Sequence, residues 1–405
     1  MIKKKEKILV LTSSFPRWPD DDNSGGGKFV LNLSKGYLDK FKVFVLAPGF
    51  IGAKRKENIE GLNVRRFYQS PFKHISLAYG HGGILPALKK NKFLYFCIPI
   101  FLLNQLIALK KLIKAEKIKI IHAHWALPQG LVATFYKRIF NPKLKILLTI
   151  NGSDFWGFDN LFSNKIKKFV FKNSDIITVP NLDVKLGISK MGVKGDIHVM
   201  PMGVDTSFFT NKKKDLHLKS KLKIKGPFLL FVGALVENKG IKHLLRALKK
   251  ILLRHPSTTL VVIGKGALED ELKAFVESNN IFKNVRFLNK YIPYEDLPKY
   301  FATCDICILP SLSEGFPITF MEAISSGTYT VVTEIPVFKT LLKDHKISFM
   351  VKPNSDKGIY EKVIEILDNL KEYAPLKEKA REYVVQNHDW VAVQKKYKNT
   401  LIRLL

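Results

Sequence analysis

Two carboxylates eight positions apart, Glu314 and Glu322, stand in the run Ser313-Glu314-Gly315-Phe316-Pro317-Ile318-Thr319-Phe320-Met321-Glu322-Ala323. The preceding residues, Asp305-Ile306-Cys307-Ile308-Leu309-Pro310, form a short apolar run ended by proline, which predicts a buried strand. Pro317 suits the first turn of a helix, where its fixed φ helps and its missing N–H costs nothing. Gly327 closes that helix, and 328–333 predicts the next strand. Glu314 then falls on the loop at the carboxyl edge of a sheet, with Glu322 on the helix that follows. The helix start at Phe316, Pro317, Ile318 and Thr319 offers its free N–H groups to the same crevice and suits a phosphate. A phosphate site between two carboxylates points to a ligand with a diphosphate and several hydroxyls, a nucleotide sugar.

Other strand ends carry polar groups of the same kind. In Phe231-Val232-Gly233-Ala234-Leu235-Val236-Glu237-Asn238-Lys239-Gly240, Lys239 reaches the start of the next helix, a natural place to hold a diphosphate. Ile263-Gly264-Lys265-Gly266 is a second strand-end glycine turn. Gly25-Gly26-Gly27 opens a helix after a long loop, but it is not G-x-G-x-x-G and no acidic residue stands where a dinucleotide ribose needs one. His122 and His124 share one face of a strand by period-two spacing, with no third residue to complete a metal site. Asp154, in Asn151-Gly152-Ser153-Asp154, either contacts a ligand or caps the following turn. The acidic cluster Asp20-Asp21-Asp22 reads as a solvated turn, and Cys304 and Cys307 as small buried residues. Apart from that solvated cluster no D-x-D occurs, and activity without a divalent metal or resident cofactor is expected.

Elements of alternating type must position these groups. Strand-like runs at 7–11, 42–47, 64–67, 118–122, 145–149 and 175–179 alternate with helical stretches at 27–39, 101–114, 130–140 and 165–173. A second series begins at 227, with strands at 228–232, 259–263, 285–288, 305–309 and 328–333. Its helices lie at 240–253, 268–278 and 296–302. Such alternation implies parallel sheets covered on both faces, an α/β fold. The lysine-rich stretch 211–225 reads as a linker, and 376–405 as helix throughout.

The chain has 405 residues, enough for two domains, and a net charge of +32 from 67 basic and 35 acidic residues. That field attracts nucleic acid, anionic lipid or phosphorylated ligands. The lysines are spread along the chain without a nucleic-acid motif, which disfavours nucleic acid as a partner. Three cysteines fit a reducing compartment. The N-terminal apolar run is too short for a signal peptide, so a cytoplasmic location is expected. The apolar run from Phe93 to Leu109 is interrupted by Pro99, Asn104 and Gln105, which disfavours a spanning helix. It is either a core helix or one held in a membrane interface by Lys89, Lys90, Lys92, Lys110 and Lys111.

The segment from Glu314 to Glu322, with Glu-Gly-Phe-Pro at its start and Glu-Ala at its end, resembles the E-x7-E signature of the retaining glycosyltransferases of family 4. Supporting landmarks run from about residue 8 to residue 400. The resemblance implies the GT-B fold: two facing Rossmann-like doubly wound domains with the active site in the cleft between them. It places an acceptor-binding domain at 1–205, a nucleotide-sugar-binding domain at 206–385, and a final helix at 386–405 returning to the first domain. It implies that Glu314 and His124 act at the transferred sugar. Glu322, Lys239, Gly233, Gly264, Asn151, Phe316, Pro317, Ile318 and Thr319 would bind the donor. Gly25, Gly26, Gly27 and Asp154 would serve the acceptor and diphosphate loop. Asn151 stands where the family usually carries histidine, and Ala234 where an arginine is common. A lipid-linked or cell-envelope glycan is the implied acceptor. A sugar-nucleotide epimerase or hydrolase on the same fold, and a non-catalytic basic membrane- or glycan-binding relative, are the alternatives.

Overall fold

The computed structural model describes residues 5–19, 21, 27–70, 74–79, 83–157, 159–288, 292–343 and 345–405. It divides into two compact units, one formed by Met1–Met202 with Trp390–Leu405 and the other by Gly203–Asp389.

The first unit is built on an eight-stranded sheet of β1 (Glu6–Leu11), β2 (Phe41–Pro48), β3 (Lys56–Ile59), β4 (Leu62–Phe67), β5 (Ile120–His124), β6 (Lys145–Thr149), β7 (Ile176–Val179) and β8 (Asp196–Val199). Its order is β3-β4-β2-β1-β5-β6-β7-β8, parallel except for β3, which runs antiparallel to β4. Strand alternation divides the core in two. Leu9, Leu11 and Ile121 face a cluster with the helices Ile98–Glu116, Leu131–Phe140 and Leu161–Asn173, whereas Ile8, Val10 and Ile120 face the helices Gly27–Lys35 and Trp390–Ile402.

The second unit repeats the plan with six parallel strands, β9 (Phe228–Val232), β10 (Thr259–Ile263), β11 (Val285–Leu288), β12 (Ile306–Leu309), β13 (Tyr329–Thr333) and β14 (Phe349–Val351), ordered β11-β10-β9-β12-β13-β14. Burial on both faces explains the near-continuous apolar character of Phe228–Val232 and Thr259–Ile263. In each sheet the strand order reverses once, between β1 and β5 and between β9 and β12. Loops leaving adjacent strands there diverge to opposite faces and open a crevice at the carboxyl ends, where ligands of such folds bind.

Two segments differ from their expected form. The stretch 211–225 is no linker: it folds as a 3-10 turn, Asn211–Lys213, and a helix, Leu216–Lys221, because Leu218 and Ile224 bury into the second core. The terminal helix is two helices, Ala374–His388 and Trp390–Ile402, broken at an extended Asp389. Asp389 accepts hydrogen bonds from Thr206 N at 3.3 Å and Thr206 Oγ1 at 2.6 Å, so the break is held by side-chain chemistry. Beyond it, Trp390–Ile402 packs on Gly27–Lys35, with Gln394 Nε2 donating to Asn32 O at 2.7 Å.

Candidate functional site

At the reversal point of the second sheet, β9 and β12 deliver the most connected group of polar side chains named from the sequence. Beyond β9 the chain makes a 3-10 turn, Glu237–Lys239, that ends at left-handed Gly240 with φ 65°. A Cβ at Gly240 would lie 2.0 Å from Pro310 O, so glycine lets this turn press against the end of β12. The contact is tied by Leu312 N donating to Asn238 O at 2.8 Å. Lys239 thereby meets Glu314: Nζ to Oε1 is 2.6 Å, with Ser311 Oγ donating to the same oxygen at 2.7 Å. Ser311 is itself fixed, its carbonyl accepting from Thr333 Oγ1 on β13.

Glu322 lies on the helix Ile318–Ser325 and is nearly buried. Tyr294 Oη donates to its Oε1 at 3.2 Å. Burial pushes the Glu322 carboxyl up to about 7, opposed by the Tyr294 hydrogen bond. Tyr294 is stacked on Phe208, ring centroids 5.6 Å apart at 18°, which fixes its hydroxyl. Pro317 is the residue before the helix rather than within it, and Ile318 N donates to Phe316 O at 3.0 Å. Of the four residues expected to face a phosphate, Pro317 has no N–H and Ile318 has spent its own, which leaves Phe316 and Thr319 as donors. Gly233 and Gly264 meet back to back at the ends of β9 and β10, where a Cβ on Gly264 (φ 152°) would lie 1.8 Å from Gly233 O. Only glycine at position 264 permits that approach, whereas a Cβ on Gly233 would meet the Phe231 ring at 3.5 Å, an ordinary contact.

In the first unit the reversal point lies between β1 and β5, and β5 ends at His124. His122 is satisfied, Nδ1 lying 3.2 Å from Tyr37 Oη and Nε2 2.7 Å from Thr149 Oγ1. His124, its ring 4.2 Å from that of His122, is fully buried and neither nitrogen has a partner among the described residues. Burial lowers its pKa to about 3, so the imidazole is neutral. Asp154 spends both carboxylate oxygens on backbone, accepting from Ala126 N at 2.7 Å and Asn151 N at 3.0 Å. That bonding joins the chain after β5 to the end of β6. Among the described residues, Asn151 Nδ2 is buried without a partner, as are both amide atoms of Gln129.

Gly27 begins its helix against the Phe15 backbone, where a Cβ would lie 2.9 Å away. Gly25 and Gly26 lie outside the described residues, as do Asp20 and Asp22. Asp21 is not a solvated turn residue: it is buried and bonded to Arg17, Nη2 to Oδ1 at 2.6 Å. Cys304 and Cys307 are free buried thiols. Among the described residues, no three His, Cys, Asp or Glu side chains group to hold a metal ion.

Tyr294, Ser311 and Gln129 were not singled out from the sequence. Ser311 carried a weak signal, three residues before Glu314 and next to the strand-ending proline. Tyr294 carried none, because its 28-residue separation from Glu322 is a product of topology.

Two adjoining family models match this chain, Glycosyltransferase Family 4 over residues 23–208 and Glycosyl transferases group 1 over 212–383. The chain belongs to glycosyltransferase family 4. It is a glycosyltransferase of the GT-B fold, with two Rossmann-like parallel-sheet domains. An uncharacterised glycosyltransferase of Methanocaldococcus jannaschii is 26% identical over 306 residues, which is 74% of this chain and 78% of the relative. The Escherichia coli UDP-Gal:α-D-GlcNAc-diphosphoundecaprenol α-1,3-galactosyltransferase is 26% identical over 283 residues, 66% of this chain and 71% of the relative. Sucrose-phosphate synthase from Thermosynechococcus elongatus shares the fold, with a TM-score of 0.79, 18% identity and 99% of each chain covered.

Proposed function

We propose that this glycosyltransferase moves a sugar, with retention of anomeric configuration, from a nucleoside diphosphate sugar to a hydroxyl of a lipid-linked or cell-envelope glycan. It works on the cytoplasmic side and without a divalent metal. The observation that carries this reading is the Lys239–Glu314–Ser311 cluster at the carboxyl end of one sheet, with a buried Glu322 on the helix that follows Glu314.

Glu322 accepts hydrogen bonds from the ribose hydroxyls of the donor. Gly233 and Gly264 let the backbone approach the nucleotide closely. Lys239, with the N–H groups of Phe316 and Thr319, neutralises the charge that develops on the departing diphosphate. Glu314 holds sugar hydroxyls and stabilises positive charge at the anomeric carbon as it becomes oxocarbenium-like. The acceptor oxygen bonds to that carbon on the face the diphosphate leaves, and the acceptor proton passes to the departing phosphate oxygen. Lys239 supplies cationic charge where a metal would otherwise be needed. In the first unit, neutral His124 and Asn151 offer unspent hydrogen-bonding groups to the sugar, while Asp154 positions the loop that carries Asn151. Gly27, with Gly25 and Gly26, serves the acceptor side. The E. coli relative's diphosphoundecaprenol-linked acceptor supports the lipid-linked class.

The test is product formation from a panel of nucleotide sugars with lipid-linked glycan acceptors in chelator, with the anomeric configuration read by NMR. Transfer with retention is the expected result. Activity abolished by chelator and restored by magnesium would refute the metal-free reading, and sugar released or epimerised without acceptor would favour a hydrolase or epimerase.

A further inference from the structure

Three neighbouring helices on one face of the first sheet are apolar on their outward sides, where a water-facing helix is ordinarily polar. In Ile98–Glu116 the inward stripe is Phe101, Gln105, Leu109 and Leu112. Its outward stripe continues from the 3-10 turn Lys92–Cys97 as Phe96, Ile100, Leu103 and Ile107, then turns to Lys111 and Lys114. Phe96 is 75% exposed, and exposed Lys89, Lys90 and Lys92 close the near end.

The next helix, Leu131–Phe140, turns Phe135 and Ile139 outward, the latter 60% exposed. Lys110 Nζ lies 4.3 Å above the Phe140 ring and links the two helices. The third helix, Leu161–Asn173, is started by an Asn160 capping box. That cap leaves Leu161 and Phe162 in its exposed first turn, Phe162 at 75%, with Lys165 and Lys172 also outward. Single exposed apolar side chains are ordinary, but rows across three adjacent helices are not.

By length and composition, Lys92–Glu116 could cross a membrane. Its inward stripe, however, shares a core with Leu9, Leu11 and Phe44 of the sheet, so it cannot leave without opening that core. A helix half buried in its own domain, apolar on the other half and bracketed by lysines, fits the plane of a bilayer interface.

We infer that this three-helix face docks the enzyme on an anionic lipid bilayer. Phenylalanine, isoleucine and leucine enter the acyl boundary while the flanking ammonium groups meet lipid phosphates. Charge chooses this occupant over a second copy of the chain, which has 35 acidic residues against 67 basic ones and so meets lysines with more lysines. The inference rests on the transferase reading only in that a lipid-carried acceptor lies at the same surface.

The experiment is flotation of the full-length protein with phosphatidylcholine vesicles and with vesicles part of whose lipid is phosphatidylglycerol. Partition about tenfold or more greater into the anionic vesicles is expected, weakening with salt. Combining Leu103→Asn with Ile107→Asn, both at exposed positions, should lower partition by about tenfold or more. Lys89→Gln, Lys90→Gln and Lys92→Gln together should remove the anionic preference. No partition of the wild type into either vesicle, or none of these losses, overturns the inference. A dimer converted to monomer by the Leu103 and Ile107 changes would overturn it in favour of self-association. Nucleotide titration of the same preparations separates the two proposals: lost nucleotide binding with vesicle binding intact counts against the donor site alone.

Discussion

The two units solve the same problem of polar groups at a sheet's reversal point in opposite ways. In the second unit the charged groups are partnered within the protein: Glu314 by Lys239 and Ser311, Glu322 by Tyr294. In the first unit His124, Gln129 and Asn151 carry buried polar atoms without partners among the described residues. An unmade hydrogen bond on a buried group costs about 1–3 kcal/mol. Such groups at a strand end are open to a ligand's hydrogen bonds, whereas the partnered cluster is set in place in advance. On the proposed reading, the second unit stabilises charge in the transition state and the first recognises hydroxyls.

The comparison breaks most visibly at Lys239. Lys239→Ala removes the cation proposed to face the leaving group and leaves Glu314 with Ser311 as its partner, so kcat/KM should fall about 10²–10³-fold while the fold survives. A fall below tenfold in steady-state assays would move the charge-stabilising role elsewhere. Next in size is the contrast in pH response. Burial raises the folded-state Glu322 carboxyl from 4.5 to about 7, so its contribution is present below pH 4.5 and is lost as pH rises towards 7. That loss is on the order of 3 kcal/mol. Burial lowers His124 from 6.5 to about 3, so its contribution is present above 6.5 and is lost as pH falls towards 3. Hydrogen exchange, corrected for intrinsic rates, should show acid loosening the first unit and the 5-to-7 rise loosening the second. Glu322→Gln should abolish only the second trend.

Smaller effects sharpen the picture. Asp154→Asn leaves one of two backbone N–H groups without its acceptor and should cost about 1–3 kcal/mol in denaturant unfolding. Tyr294→Phe removes one neutral donor to Glu322 and should weaken nucleotide binding about threefold to tenfold by calorimetry. It should also raise the Glu322 pKa further, since that hydrogen bond favours the ionised form.

Much of this was legible in the residues. Buried parallel strands such as Phe228–Val232 and Thr259–Ile263 announce themselves by unbroken apolar runs, and Lys239, Glu314 and Glu322 by their places after strand ends. The edge strand Lys56–Ile59 gave no such signal, because one antiparallel neighbour requires little apolar pattern. The helix beginning at Leu161 was expected four residues later, since Asn160 and Ser163 form its cap through reciprocal bonds that composition does not reveal. Burial of Asp21 and the backbone bonding of Asp154 depend on partners brought close by folding, Arg17 in one case and two backbone N–H groups in the other. Three aspartates in a row look solvated until one finds a guanidinium.

The most direct measurement is calorimetric titration of UDP, GDP, ADP and their sugar conjugates, without metal, into the wild-type protein and Glu322→Ala. Binding of one nucleotide family, weakened about tenfold to a hundredfold in the variant, is the predicted result. Binding that Glu322→Ala leaves unchanged, or no binding of any nucleotide to the wild type, would contradict the donor site described for the second unit.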